Sequence, residues 1–244
     1  MPEVLIFALA WFAAGVGNGL AGFGAAMIAM PLVAGSVDLA IAVPACTLTV
    51  LTLNVQVAWI FRRHIRWDYV KEIGVGLIPG ALLSVVVLKY LPETWLKVAL
   101  GSFVAGYALW NLFLAGEAGE RVVKNSWGYL AGVLSAAMGL AFGVNGPPMV
   151  AYIAYSGCPA KAVRGTIGAA FIVSGVIIVG AQFMTGLIHS TVITNFFVAT
   201  PAVLIGSKIG IWISGFLAEA QYRKVLFLAL FLMGGNIAAT AILQ

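Results

Sequence analysis

Asn145-Gly146-Pro147-Pro148 interrupts an apolar run that is otherwise long enough to cross a bilayer. Glycine followed by two prolines breaks a helix, and proline at the first position suits the start of a new one. Asn145 or Gly146 is predicted to cap that second helix, with Pro147 as its first residue. A helix that begins inside a membrane presents free N–H groups and the positive end of its dipole, and together these hold an anion. The first apolar run carries a matching interruption at Gly15, Gly17, Gly19, Gly22 and Gly24, with Asn18 beside it. Two such helix ends facing each other would bind an anion without a fixed cation. The expected substrate-binding residues are therefore Asn18, Gly19, Gly22, Gly24, Asn145, Gly146 and Pro147. Lys208, in Gly206-Ser207-Lys208-Ile209-Gly210, joins them as the one base well inside an apolar segment. It reads either as an anion partner near the path or as a lysine that snorkels to the cytoplasmic side.

The acidic residues support an anion by their placement. Glu3, Asp38, Asp68, Glu72, Glu93, Glu117, Glu120 and Glu219 all fall in expected loops or at segment ends. A carboxylate inside the membrane is the usual cation ligand or proton relay of a transporter, and this pattern argues against both. Na⁺ held by backbone carbonyls and H⁺ carried on the substrate both stay open as the coupling ion. No His, Asp or Glu inside a segment could serve a nucleophile or a metal, so neither enzyme, metal nor cofactor is expected. His64, in a basic loop, and His189, in a short loop, read as solvated interfacial residues. Cys46 and Cys158 make no disulfide framework and read as small packing residues. Thr47, Thr49, Asn54 and Ser135 could each bind a ligand or tie helices together, the latter worth about 0.6 kcal/mol per bond.

The elements that must position these residues follow from composition. Of the 244 residues, 62% are hydrophobic and 9% are charged; soluble domains carry about 25% charge. Mean hydropathy is +1.07 and the pI is near 9.4. So few charges cannot coat a soluble globule, which excludes a soluble enzyme, a nucleic-acid-binding domain and a disordered chain. Eight apolar stretches can be marked, at 4–35, 39–61, 73–91, 96–114, 127–155, 162–185, 191–216 and 224–243. Six have about the 20 residues a spanning helix needs. The first and fifth are longer and broken by glycine. The N-terminus lacks the positive region of a cleaved leader, so the first segment is expected to stay. Trp59, Trp67, Tyr69, Tyr90, Trp95, Trp127 and Tyr222 at segment ends read as an aromatic belt.

An internal repeat accounts for the two broken segments. Gly15 and Pro31 match Gly132 and Pro148 at one offset, and Pro79 is paired with Pro201. The chain then reads as a first repeat over 1–115, a polar linker over 116–126 and a second repeat over 127–244. If each broken segment enters and leaves on one side, the second repeat is inverted. Arg62, Arg63, Arg66, Lys71, Arg121, Lys124, Lys161, Arg164, Arg223 and Lys224 then lie inside, against only Lys89 and Lys97 outside. Full crossing by all eight segments removes that bias, so the positive-inside rule selects the inverted arrangement. The expected fold is an all-α polytopic membrane protein of two inverted four-segment repeats. It has six spanning helices and two glycine-rich re-entrant hairpins over about 4–35 and 127–155. Broken helices in inverted repeats place a substrate site near the midplane. A carrier alternating access around the two tips is the leading expectation, with a small-anion channel as the alternative. The expected partners are a small anion and the lipid bilayer, with no nucleic acid and a homo-oligomer left open.

Gly19-Leu20-Ala21-Gly22-Phe23-Gly24 followed by Pro31 resembles the glycine-rich first segment of the sulfite exporter TauE/SafE family, also called toluene sulfonate uptake permeases. The run 139–148 resembles its repeat in the second half. Leu91-Pro92 followed by Leu96-Lys97 resembles the family's start of the fourth helix. The resemblance covers nearly the whole chain. It implies a secondary transporter of sulfur-containing anions such as sulfite, thiosulfate or organosulfonates, in a bacterial inner membrane.

Overall fold

The fold is that of a computed structural model, which describes residues 2–21, 24–33, 37–90, 92–114, 124, 126–142, 144–156, 160–214, 216 and scattered positions between 228 and 242. Regular structure among the described residues is helical throughout. In chain order it comprises α1 (Pro2–Ala21), α2 (Ala25–Val33), α3 (Leu39–Ile60), α4 (Trp67–Tyr90), α5 (Glu93–Leu109), α6 (Ser126–Phe142), α7 (Gly146–Tyr155), α8 (Ala160–Met184) and α9 (Ser190–Ser214). A 3₁₀ turn, Arg62–His64, joins α3 to α4, and a π-helical turn, Trp110–Leu114, prolongs α5. Leu39–Ile60, Gly165–Met184 and Ser190–Ile213 are long and apolar enough to cross a membrane, and Leu5–Leu20 and Thr94–Leu109 are shorter apolar helices. Large apolar side chains such as Leu5, Leu9, Leu82, Phe197 and Trp212 stand exposed, the surface that lipid rather than water would cover.

The helices group into two compact units, each drawing on both halves of the sequence. One comprises residues 1–46, 91–116 and 189–244, and the other residues 47–90 and 117–188. In the first, α1 packs along α9 and the short α2 packs back on α1. In the second, α6 packs along α4, and α7 packs on α6 and α8. The turn into α4 is held by a forked ion pair, Arg66 Nε and Nη2 to the two Asp68 oxygens at 3.1 and 2.7 Å. The Arg66 amide also donates to Thr166 Oγ1 at 3.1 Å.

Glycines set the close approach in both helix pairs. A Cβ on Gly15 would collide with the carbonyl oxygen of Val203, and one on Gly132 with that of Ile73. A Cβ on Gly206 would strike Phe12 O, and one on Gly76 would strike Tyr129 O. Gly210 and Val16 O stand in the same relation as Gly80 and Val133 O. Residue numbers rise together along both partners, so each pair is parallel. Each correspondence between α1 and α6 is an offset of 117, and each between α9 and α4 is an offset of 130. Small residues at four-residue spacing let backbones touch, the usual basis of helix association in lipid.

Two expectations are corrected here. Gly15, Gly17, Gly19 and Gly139 do not break their helices: α1 runs unbroken to Ala21 and α6 to Phe142. Intrahelical hydrogen bonds and a packed neighbour offset the roughly 1 kcal/mol that each glycine costs. The α4–α9 register also differs. It aligns Gly76 with Gly206 and Gly80 with Gly210, so Pro79 and Pro201 are not equivalent.

Candidate functional site

The breaks are short and sit where chain geometry requires them. In the first unit α1 ends at Ala21 and α2 begins at Ala25. Gly24 has φ +96°, a left-handed conformation that favours glycine, and its carbonyl accepts the Ile28 amide at 3.3 Å. In the second unit α6 ends at Phe142 and α7 begins at Gly146. With 9 and 10 residues, α2 and α7 are each about 14–15 Å long, half the hydrocarbon thickness.

A pocket opens beside the second break. Thr47, Val50 and Leu51 of α3 line it, with Gly139 of α6, Asn145 of the break, and Phe171, Gly175 and Ile178 of α8. The non-atom space between its walls, its open mouth included, is about 260 Å³. No lining side chain is ionisable: four are apolar, two are polar and neutral, and two are glycines.

Asn145 occupies the cap position but does not cap. Its side chain makes no bond to the helix and instead donates from Nδ2 to Ser174 Oγ at 2.7 Å. Gly146, not Pro147, is the first residue of α7. Pro147 and Pro148 carry no N–H, so the amides of Asn145 and Gly146 are the only N–H groups at this helix end that the intrahelical ladder leaves over. A Cβ on Gly146 would lie 3.3 Å from the Phe171 ring, and one on Gly139 would meet Ile178 and Asn145. Two further polar side chains adjoin the pocket. Gln182 donates from Nε2 to Thr47 Oγ1 at 3.3 Å. Its Oε1 is buried with no hydrogen-bond partner. Ser174 and Gln182 are among the most deeply buried polar residues described.

The remaining expected site residues belong to the first unit. Asn18 is buried in α1. Gly19 is a packing position, since a Cβ there would collide with Ser207 O. Gly24 makes the turn, and Gly22 lies outside the described residues, as does Cys158. Gly206, Ser207 and Gly210 are buried toward α1, whereas Lys208 is exposed.

Sequence reasoning missed three residues. Ser174 and Gln182 share a helix face with Phe171, Gly175 and Ile178 at spacings of three and four, a signal legible in α8 as polar residues in an apolar stripe. Glu72 was expected at a segment end, but α4 starts at Trp67 and puts it in the second turn, half-buried. The Tyr152 hydroxyl donates to Glu72 Oε2, and the Tyr69 hydroxyl donates to Ser156 O at 3.1 Å. Both bonds tie α7 to α4. Gly128 leaves room for this contact, since a Cβ there would lie 2.8 Å from Glu72 Cβ.

A sequence model of the family described as "Sulfite exporter TauE/SafE" matches residues 7–237. The chain belongs to the sulfite exporter TauE/SafE family. It is a transporter rather than an enzyme, with helices long and apolar enough to span a membrane. A curated relative from Cupriavidus necator H16, named "Probable sulfite/organosulfonate exporter TauE", is 24% identical over 226 residues, 91% of this chain and 88% of the relative. No solved structure matches. Membership of TauE/SafE agrees with a pocket that holds polar groups without acids.

Proposed function

We propose that the chain is a secondary transporter of small sulfur-containing anions, sulfite, thiosulfate or organosulfonates, that binds its substrate in the pocket beside Asn145 and Gly146. The pocket carries this reading. It combines the start of a helix at Asn145, neutral hydroxyl and carboxamide groups and apolar walls, with no acid among its lining residues to repel an anion. The family match and the name of the Cupriavidus relative supply the sulfur chemistry. Asn145, Gly146 and Pro147 are the binding residues of this reading, and Asn18, Gly19, Gly22 and Gly24 surround the corresponding break of the other repeat.

Two inverted repeats with six spanning helices and two re-entrant hairpins make up the proposed membrane architecture. The shared offsets of 117 and 130 in the two helix pairs support the repeat. Short second arms of half-membrane length support the hairpins. The distribution of Lys and Arg supports the inversion and a bacterial inner membrane. Alternating access follows from transport through a site that is closed in by α3, α6 and α8. Either Na⁺ or H⁺ serves as the coupling ion, and self-association is compatible with the exposed apolar faces.

Flux in proteoliposomes tests the proposal. Vesicles loaded with sulfite, thiosulfate, sulfoacetate, sulfate, taurine or chloride are expected to show saturable, trans-stimulated exchange restricted to sulfur oxyanions and sulfonates. Equal flux of every anion without trans-stimulation would establish a continuous pore instead.

A further inference from the structure

Gln182 stands out in α8. It is 1% exposed, and it lies four residues after Ile178 and seven after Gly175, on the helix face that lines the pocket. Its Nε2 is engaged by Thr47 Oγ1, itself on the pocket wall, and its Oε1 is buried without a donor. A buried carbonyl oxygen left unsatisfied costs free energy that a ligand donor would recover. The other polar groups that offer donors to an anion there are the amides of Asn145 and Gly146 at the start of α7. The lining holds no cation to balance a second negative charge. Burial cost rises with the square of charge, so a dianion in this pocket costs roughly four times as much as a monoanion.

We propose that the pocket selects the protonated monoanion of an oxyanion that titrates, hydrogensulfite over sulfite, and that Gln182 Oε1 accepts the substrate's O–H. This rests on the pocket being the substrate site. The two amides bind the unprotonated oxygens, and the carboxamide oxygen reads the proton. The H⁺ then travels on the substrate, and the described pocket residues need not titrate. An organosulfonate is already a monoanion and has no O–H; it uses the donors and leaves Gln182 Oε1 unengaged.

The two substrate types separate the outcomes. Labelled sulfite and labelled methanesulfonate are exchanged at equilibrium in proteoliposomes with the same pH on both sides, from the acid to the alkaline side of neutrality. The sulfite KM in total sulfite is expected to rise in proportion as the hydrogensulfite fraction falls, while the methanesulfonate KM stays constant. Gln182→Met is expected to raise the sulfite KM about 5–10-fold, the worth of one buried hydrogen bond, and to change the methanesulfonate KM less than twofold. Methanesulfonate exchange by the variant also shows that it is folded. A sulfite KM that is constant or falls with pH overturns the proposal, as does a Gln182→Met effect equal for both anions. If wild-type protein exchanges neither anion, the pocket's assignment to sulfur anions fails as well.

Discussion

Gly146 is the residue at which space and binding are least separable. Its missing side chain leaves the Phe171 ring 3.3 Å from where a Cβ would sit, at the start of α7. Gly146→Leu is expected to fill the pocket and abolish exchange while the protein still elutes as the wild type does; retained exchange would remove Gly146 from the site. Lys208 gives the opposite expectation. Its side chain is exposed while Gly206 and Ser207 beside it are buried toward α1. Lys208→Gln should leave the sulfite KM within twofold, the result expected of a snorkelling lysine. Asp68 adds a small electrostatic effect. The hydrogen bonds from Arg66 hold its carboxyl below the usual range. A lowered folded pKa contributes stability above the unfolded pKa and loses it as pH falls through the folded value. The pair is about half exposed, so Asp68→Asn should cost under about 1 kcal/mol at neutral pH and nothing in acid; a melting series against pH reads this. At this scale the sequence placed the α6–α7 break correctly, because three helix-breaking residues in a row leave little choice. It placed Asn145 at the cap position but not its side-chain bond, because the partner Ser174 is 29 residues away. Gln182 escaped notice for the same reason: its meaning lies in Thr47, and sequence spacing does not record which helices face each other.

Among the elements, the parallel pairs α1–α9 and α4–α6 carry the packing. Gly15 and Gly132 hold equivalent positions in them. Gly15→Leu and Gly132→Leu should therefore each lower the melting temperature in detergent by a similar amount, with about 1–3 kcal/mol of overpacking or more. A large loss from one and none from the other would break the equivalence. The glycines themselves were legible as unusual, but their role was not. Glycine density alone cannot separate a helix break from a backbone contact, and only the facing carbonyls of Val203 and Ile73 decide it. The segments were legible nearly to their ends where apolar length dominates, as in α3 and α9. The start of α4 was not, because Asp68, Lys71 and Glu72 look like loop residues although they form its first turns.

For the whole molecule, the charge distribution is the strongest constraint on insertion. Cysteines placed at positions 36 and 159, both outside the described residues, should label from opposite faces with an impermeant thiol reagent; same-face labelling would exclude inverted repeats. The all-helical membrane class was legible from composition alone, since burial in lipid relaxes the need for surface charge. The grouping into two compact units was not. Each unit mixes early and late segments, and the amphipathic patterns that reveal partners in water are absent when every face is apolar.

The pairing of α1 with α9 has a consequence for the order of synthesis. About 170 residues separate the end of α1 from the start of α9, so at roughly 5–20 residues per second the first helix waits about ten to thirty seconds for its partner. α4 waits for α6 over a gap of only about 35 residues, a few seconds at the same rate. During its longer wait, α1 keeps uncovered the face of Gly15 and Gly19 that α9 later meets. The nascent chain therefore completes the unit that holds the pocket first, and the unit that begins the chain is the last to close.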